Sequence, residues 1–261
     1  SQTPDYRMPA TSVILQDRLK LSHSCVAFDI SLGCSAFCYG LSVVYGMMQS
    51  GGIRKALILD GETRSKVYSP KDRRSAFLFG DGGVAALVER DEKFGKSYFS
   101  LNSDLIMIKG GGYRHPSSEE TLREKVVDEY GNIRSDEQGY MQGGDVFNFV
   151  IREIPRDIKK TLEYAGDTAD SFDYIVFHQA NNFINAYIAK KMKLDTDKIP
   201  STIAKYGNTS SVSVPLTIVS ELKDRLYGNK KLLLSAFGVG MTWATGIVPF
   251  VDCKISDIVE V

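Results

Sequence analysis

Hydrophobic and polar positions along this chain switch between a period near two and a period near 3.6, and each switch marks a change of element. "CVAFDIS", residues 25–31, is an apolar run between polar neighbours and predicts a buried strand. "CSAFCYGLSVVYGMMQSGG" comes next, with Phe37, Leu41, Val44 and Met48 on one helical face and Gly51-Gly52 at its end. "KALILDG", 55–61, predicts a second strand of the parallel, doubly covered type, which completes a strand–helix–strand unit. "AFLFGDGGVAALVE", 76–89, predicts a strand, a glycine turn and another strand.

The stretch 113–139 is polar and charged with little to bury, so it predicts a surface excursion holding a short helix. "GDVFNFVIREIPRDIKKTLEYAG" then returns to helical spacing, and "FDYIVFHQAN" predicts a strand ending in polar residues. "NFINAYIAKKMKL" and "SVSVPLTIVSELKDRLYG" predict helices, the second with Pro215 tolerated near its first turn. "KKLLLSAFGVGMTWATGIVPFV" predicts two strands around a glycine-rich corner. Helices and strands alternate through both parts of the chain, which predicts an α/β fold.

Length and composition narrow this further. A chain of 261 residues allows one large domain or two of ordinary size. A hydrophobic share of 43% and a charged share of 25% provide both a core and a polar surface. Formal net charge is zero, which argues against a nucleic-acid binder, since that needs clustered cations. Lys71, Arg73 and Arg74 form a small basic run that reads as a solvated turn. No apolar run is long enough to cross a bilayer and no signal peptide is recognisable, so no membrane partner is expected. The four cysteines, Cys25, Cys34, Cys38 and Cys253, lack paired CxxC spacing, and His23 beside Cys25 is too little for zinc. A reducing, cytoplasmic setting without a bound metal is the expectation. The opening residues "SQTPDYRMPA" are loop and turn types, as expected of the middle of a longer protein.

Candidate chemistry lies at a few punctuated positions. Cys34 stands where a strand hands over to a helix, and unpaired helix N–H groups there favour a thiolate. The same place suits a small buried thiol. Cys38, one turn deeper, reads as core. His178 ends "YIVF" at the carboxyl edge of a strand, where open α/β sheets place ligands. A satisfied core histidine is the alternative, although Asn181 and Asn182, close behind, are odd for a core. Asn208 in "KYGNTSSVSVP" fits a turn or a helix cap. "FGDGGVA" matches GxGxxA at Gly80, Gly82 and Ala85, yet it leads into a strand pattern, whereas a dinucleotide loop must open a helix. "FGVG", 237–240, is either a ligand-facing backbone or a hairpin turn.

In order along the chain, "DISLGCSAF", "DRRSAFLFGDGGVAAL", "FHQAN", "YGNTSSVSVPL" and "SAFGVGMTWA" resemble β-ketoacyl-acyl carrier protein synthase III, of the thiolase-like superfamily. The resemblance covers nearly the whole chain apart from 113–139. It implies two similar halves stacked as five α/β layers, here residues 1–92, carrying the nucleophile, and 93–261, carrying the histidine and asparagine. It implies a Cys34–His178–Asn208 site, with the backbone N–H groups of Cys34 and Val239 as oxyanion hole; Val239 stands where many relatives have glycine. It implies that Arg73 contacts coenzyme A, that Met8 reaches across a homodimer to close the acyl pocket, and that Phe183 replaces an arginine that helps dock the carrier protein. Asn181 joins the substrate-binding set. The implied substrates are an acyl-coenzyme A and malonyl-acyl carrier protein, with no resident cofactor. Opening strands of the first half and part of the coenzyme A tunnel lack counterparts, as does a glycine loop after Ser103-Asp104. The rival expectations are a related condensing enzyme of a polyketide or surface-polysaccharide pathway and a non-catalytic partner subunit. Such subunits typically lose the nucleophile.

Overall fold

The computed structural model describes residues 1–50, 52–90, 97–101 and 106–261. The first half holds α1 (Thr11–Arg18), α2 (Ala36–Ser50), β1 (Lys55–Glu62) and β2 (Gly82–Glu89). After β3 (Ser97–Leu101), short pieces form the excursion: β4 (Ile106–Met107), α3 (Glu119–Leu122), β5 (Lys125–Val126), β6 (Ile133–Arg134) and β7 (Tyr140–Met141). The remainder is α4 (Gly143–Ala165), β8 (Tyr174–Phe177), α5 (Asn182–Met192), α6 (Ile203–Tyr206), α7 (Ser213–Leu222), β9 (Asn229–Gly238) and β10 (Thr242–Val251).

The main sheet has the order β3-β10-β9-β8, antiparallel except for the parallel pair β8–β9. One face packs on α4 and α5, with Ile154, Ile158 and Ile188 against Ile175, Phe177 and Leu233. The other packs on α2 and α7, where Phe37, Leu41, Ile218 and Leu222 meet Val176, Leu232 and Leu234. Ile58, Ala86 and Val88 of the β1–β2 pair close on that same cluster, so α2 and α7 lie between two sheets. Each fully buried aliphatic side chain stabilises this stack by about 1.5–3 kcal/mol. Four alternating layers are present among the described residues. On the outer face of β1–β2, Leu57, Leu59 and Leu87 stay exposed, so a fifth layer is not among them.

Helix α4 contains a buried Pro155, which cannot donate to the carbonyl of Ile151. Lys191 of α5 supplies the missing bond, its Nζ lying 2.7 Å from that oxygen. Gly166, at φ 68°, ends the helix in the left-handed conformation that glycine adopts readily.

Three expectations need correction. Residues 25–31 form no strand, because no ladder partner lies beside them among the described residues. Val26 and Phe28 are exposed, and Asp29 instead accepts the Thr11 and Ser12 N–H groups of α1. Strand β1 is antiparallel to β2, from Lys55↔Glu89 to Glu62↔Gly82, and is covered on one face only. Residues 76–78 are turns that bond back toward Asp72 and Ser75, leaving Phe79 with a single parallel bridge to Asn208. Gly82 does open a strand, as its sequence context predicts.

The excursion is a compact polar unit. Ser118 and Thr121 close a capping box on α3, and Asp128 accepts from the N–H groups of Tyr130 and Asn132. It is pinned by ion pairs Lys71–Glu124, Arg74–Asp128 and Arg134–Asp72. Two of the three cations in the basic run are therefore engaged, while Arg73 stays exposed.

Candidate active site

Cys34 lies two residues ahead of α2 and is 5% exposed. Its neighbour Ser35 is fixed by a 2.5 Å bond between its Oγ and Thr242 Oγ1, which also donates to Val239 O at 2.9 Å. These bonds tie the start of α2 to the β9–β10 corner. Gly238 stands directly against Cys34, and a Cβ there would collide with the Cys34 side chain.

His178 extends the β8–β9 ladder by one bond, its N–H donating to Ser235 O at 2.8 Å. That fixes its place at the carboxyl end of β8. Its Nδ1 lies 2.7 Å from Ser213 Oγ at the head of α7, leaving the opposite ring nitrogen for other partners. Phe237 meets the imidazole edge-on at 5.4 Å. Asn208 is held by backbone, its N–H donating to Leu78 O at 2.8 Å and its carbonyl accepting from Gly80 at 3.0 Å. Gly207, at φ 67°, makes that turn possible, and a side chain at Gly80 would strike the Tyr206 carbonyl. The Asn208 Oδ1 accepts from Ser210 N–H at 2.9 Å.

These placements make Cys34 unlike Cys38. Burial alone would raise the Cys34 thiol, but His178, which also hydrogen-bonds it, Arg64 and the Val239 N–H together pull it down to about 6. Burial and the Asp60 carboxylate push Cys38 up to about 12. Near neutral pH the first therefore favours the thiolate and the second the protonated thiol.

The other positions singled out by sequence lie further out. Asn181 caps α5, its Oδ1 accepting from Ile184 N–H at 2.8 Å. Phe183 is 68% exposed and stacks on Phe147 at 5.4 Å. Met8 is 79% exposed. Arg73 N–H is held by Asn132 Oδ1 at 2.9 Å, which presents its side chain at the surface. Ser103-Asp104, after which the sequence lacks a glycine loop, lie outside the described residues.

Sequence reasoning missed the buried polar group around Cys34. Glu62 and Arg64 pair at 3.3 Å, and Ser211 donates to Asp60 at 2.7 Å with Glu62 3.2 Å from the same Oγ. Burial pushes the Asp60 carboxyl up, against the Ser211 hydrogen bond. A signal was present: Ile58, Asp60 and Glu62 alternate on the inward face of one strand, where carboxylates are out of place.

The comparisons agree with this geometry. A family model for 3-oxoacyl-[acyl-carrier-protein (ACP)] synthase III matches residues 28–104, and one for its C-terminal part matches 162–250. A putative 3-oxoacyl-[acyl-carrier-protein] synthase 3 of Campylobacter jejuni is 34% identical over 264 residues, covering 99% of this chain and 73% of its own. A β-ketoacyl-[acyl-carrier-protein] synthase III of Streptococcus gordonii is 36% identical, over 94% of this chain and 74% of its own. The crystal structure of a 3-oxoacyl-(acyl-carrier protein) synthase from Burkholderia xenovorans superposes with a TM-score of 0.88 at 37% identity, covering 100% of this chain and 74% of that one. With this fold, these matches and a depressed thiol beside a histidine, the chain belongs to the 3-oxoacyl-[acyl-carrier-protein] synthase III family of thiolase-like condensing acyltransferases.

Proposed function

We propose that the chain condenses an acyl-coenzyme A starter with malonyl-acyl carrier protein, through Cys34, His178 and Asn208. The observation that carries this reading is a buried thiol just ahead of α2, beside His178 and the Val239 N–H, which draw it down to about 6. The Cys34 thiolate attacks the thioester carbonyl, the tetrahedral oxyanion is taken by the N–H groups of Cys34 and Val239, and the coenzyme A thiolate leaves. Malonyl-carrier then loses carbon dioxide, and its enolate oxygen accepts from His178 and Asn208. The resulting carbanion attacks the acyl-cysteine carbonyl, and the sulfur departs as a 3-ketoacyl thioester forms. The thioesters are substrates, and the scheme uses no resident cofactor.

Arg73 is assigned to coenzyme A, Phe183 to the carrier face, and Met8 to the partner's acyl pocket in a homodimer. Asn181 supports α5, which carries Phe183, through its cap. Sedimentation of the full-length protein should show a dimer, and an active monomer would remove the role of Met8. No helix among the described residues is long and apolar enough to cross a membrane. A cytoplasmic site of action is in keeping with four free cysteines.

Labelled acyl-coenzyme A, with subsequent peptide mass mapping, tests the first half-reaction. The label should appear on Cys34 in the unmodified sequence and in Cys38→Ser, and vanish in Cys34→Ser. Label on Cys38, or none on Cys34, overturns the reading.

A further inference from the structure

A second set of polar groups reaches the Cys34 sulfur. Ser210 donates its hydroxyl to Cys34 Sγ at 3.6 Å, and that hydroxyl accepts from Arg64 Nη2 at 2.8 Å. A serine hydroxyl carries one proton, so accepting from the guanidinium leaves that proton for the sulfur. The Ser210 backbone sits at φ 57°, held by its N–H bond to Asn208 Oδ1. Arg64 is 3% exposed and permanently charged. It also meets Glu62 and Gln2, each at 3.3 Å, and its Nε–H is buried without a partner among the described residues. In this buried setting the Arg64 charge also acts on the Cys34 sulfur behind Ser210.

We infer that Arg64 and Ser210 form a relay that holds the Cys34 sulfur as a thiolate, Ser210 touching the reacting atom and Arg64 acting as a positioning residue through it. The relay rests on the assignment of Cys34 as nucleophile. The other ionisable groups that act on Cys34 are His178 from the end of β8 and Tyr68, while Glu62 pairs with Arg64 and Asp60 acts on Cys38. Residues 208–213 and the corner 235–242 bring no ionisable side chain. Glu62 partly offsets Arg64, and burial keeps the Tyr68 phenol neutral.

The test is a thiolate titration monitored by ultraviolet difference absorbance, subtracting Cys34→Ser, in the intact chain and in Ser210→Ala and Arg64→Met. Circular dichroism checks folding, and Ser210→Ala is decisive should Arg64→Met unfold, because it leaves the Arg64–Glu62 pair intact. Ser210→Ala should raise the Cys34 midpoint by about one pH unit, making thiolate below the midpoint about tenfold scarcer. The double variant should shift no further than the larger single one, as expected of groups in one path. A folded Ser210→Ala with an unchanged midpoint overturns the relay, even if Arg64→Met shifts it through space. An intact chain whose Cys34 titrates like an ordinary thiol instead overturns the nucleophile assignment.

Discussion

The sulfur of Cys34 rests against the bare Cα of Gly238, and the close packing leaves no room for a methyl group between them. The nucleophile is thus positioned by an absence on β9 as much as by its own helix.

Gly238→Ala should therefore push Cys34 out of line with His178. Overpacking of this kind costs about 1–3 kcal/mol. A lowered melting temperature with a retained circular dichroism spectrum is expected, together with loss of acyl-enzyme by intact mass. Full acylation in this variant would show that the corner yields without disturbing the thiol.

Acylation should track the titration of Cys34. The thiolate is the reactive form and its midpoint is about 6, so below that pH the sulfur is protonated and transfer slows. Above it, transfer should level off, at pH values where an ordinary thiol would still be gaining reactivity. A profile that keeps climbing through neutral pH would contradict the depressed thiol. Cys38, at about 12, should contribute nothing over the same range.

Asn208→Asp separates two duties of one side chain. The carboxylate keeps an oxygen for the Ser210 N–H, which Asn208 Oδ1 now accepts, but removes the amide donor. Acyl-enzyme should still form, while carbon dioxide release from malonyl-carrier should fall about 100- to 1,000-fold, as for loss of one preorganised oxyanion donor. Undiminished decarboxylation would reduce Asn208 to the turn residue that its loop also needs.

Legibility from sequence depended on the locality of each cause. Helices α4, α5 and α7 and strands β8 to β10 announced themselves through spacing, because their burial repeats along the chain itself. The apolar runs at 25–31 and 76–79 predicted burial, but pairing is chosen by a distant strand, and Phe79 found only Asn208. Cys34, His178 and Asn208 each stood at a punctuation mark between elements and could be found as candidates. Ser210 and Arg64 could not: they are separated by 146 positions, and neither sits in a pattern that points to the other. The capping role of Asn181 was within reach, since an amide just ahead of a helical run is an ordinary N-cap.

Helix α2 begins two residues after Cys34 and is gripped by two sheets, touching β1 on one side and β9 and β10 on the other. It works as a keystone: a volume change on either face bears on the position of one sulfur atom. Freedom to vary is consequently uneven across the molecule. The solvent side of α4 can be rewritten for charge or solubility, whereas the middle layer tolerates little that alters its width. A designer seeking new starter groups would do better to reshape the rim and leave the keystone alone.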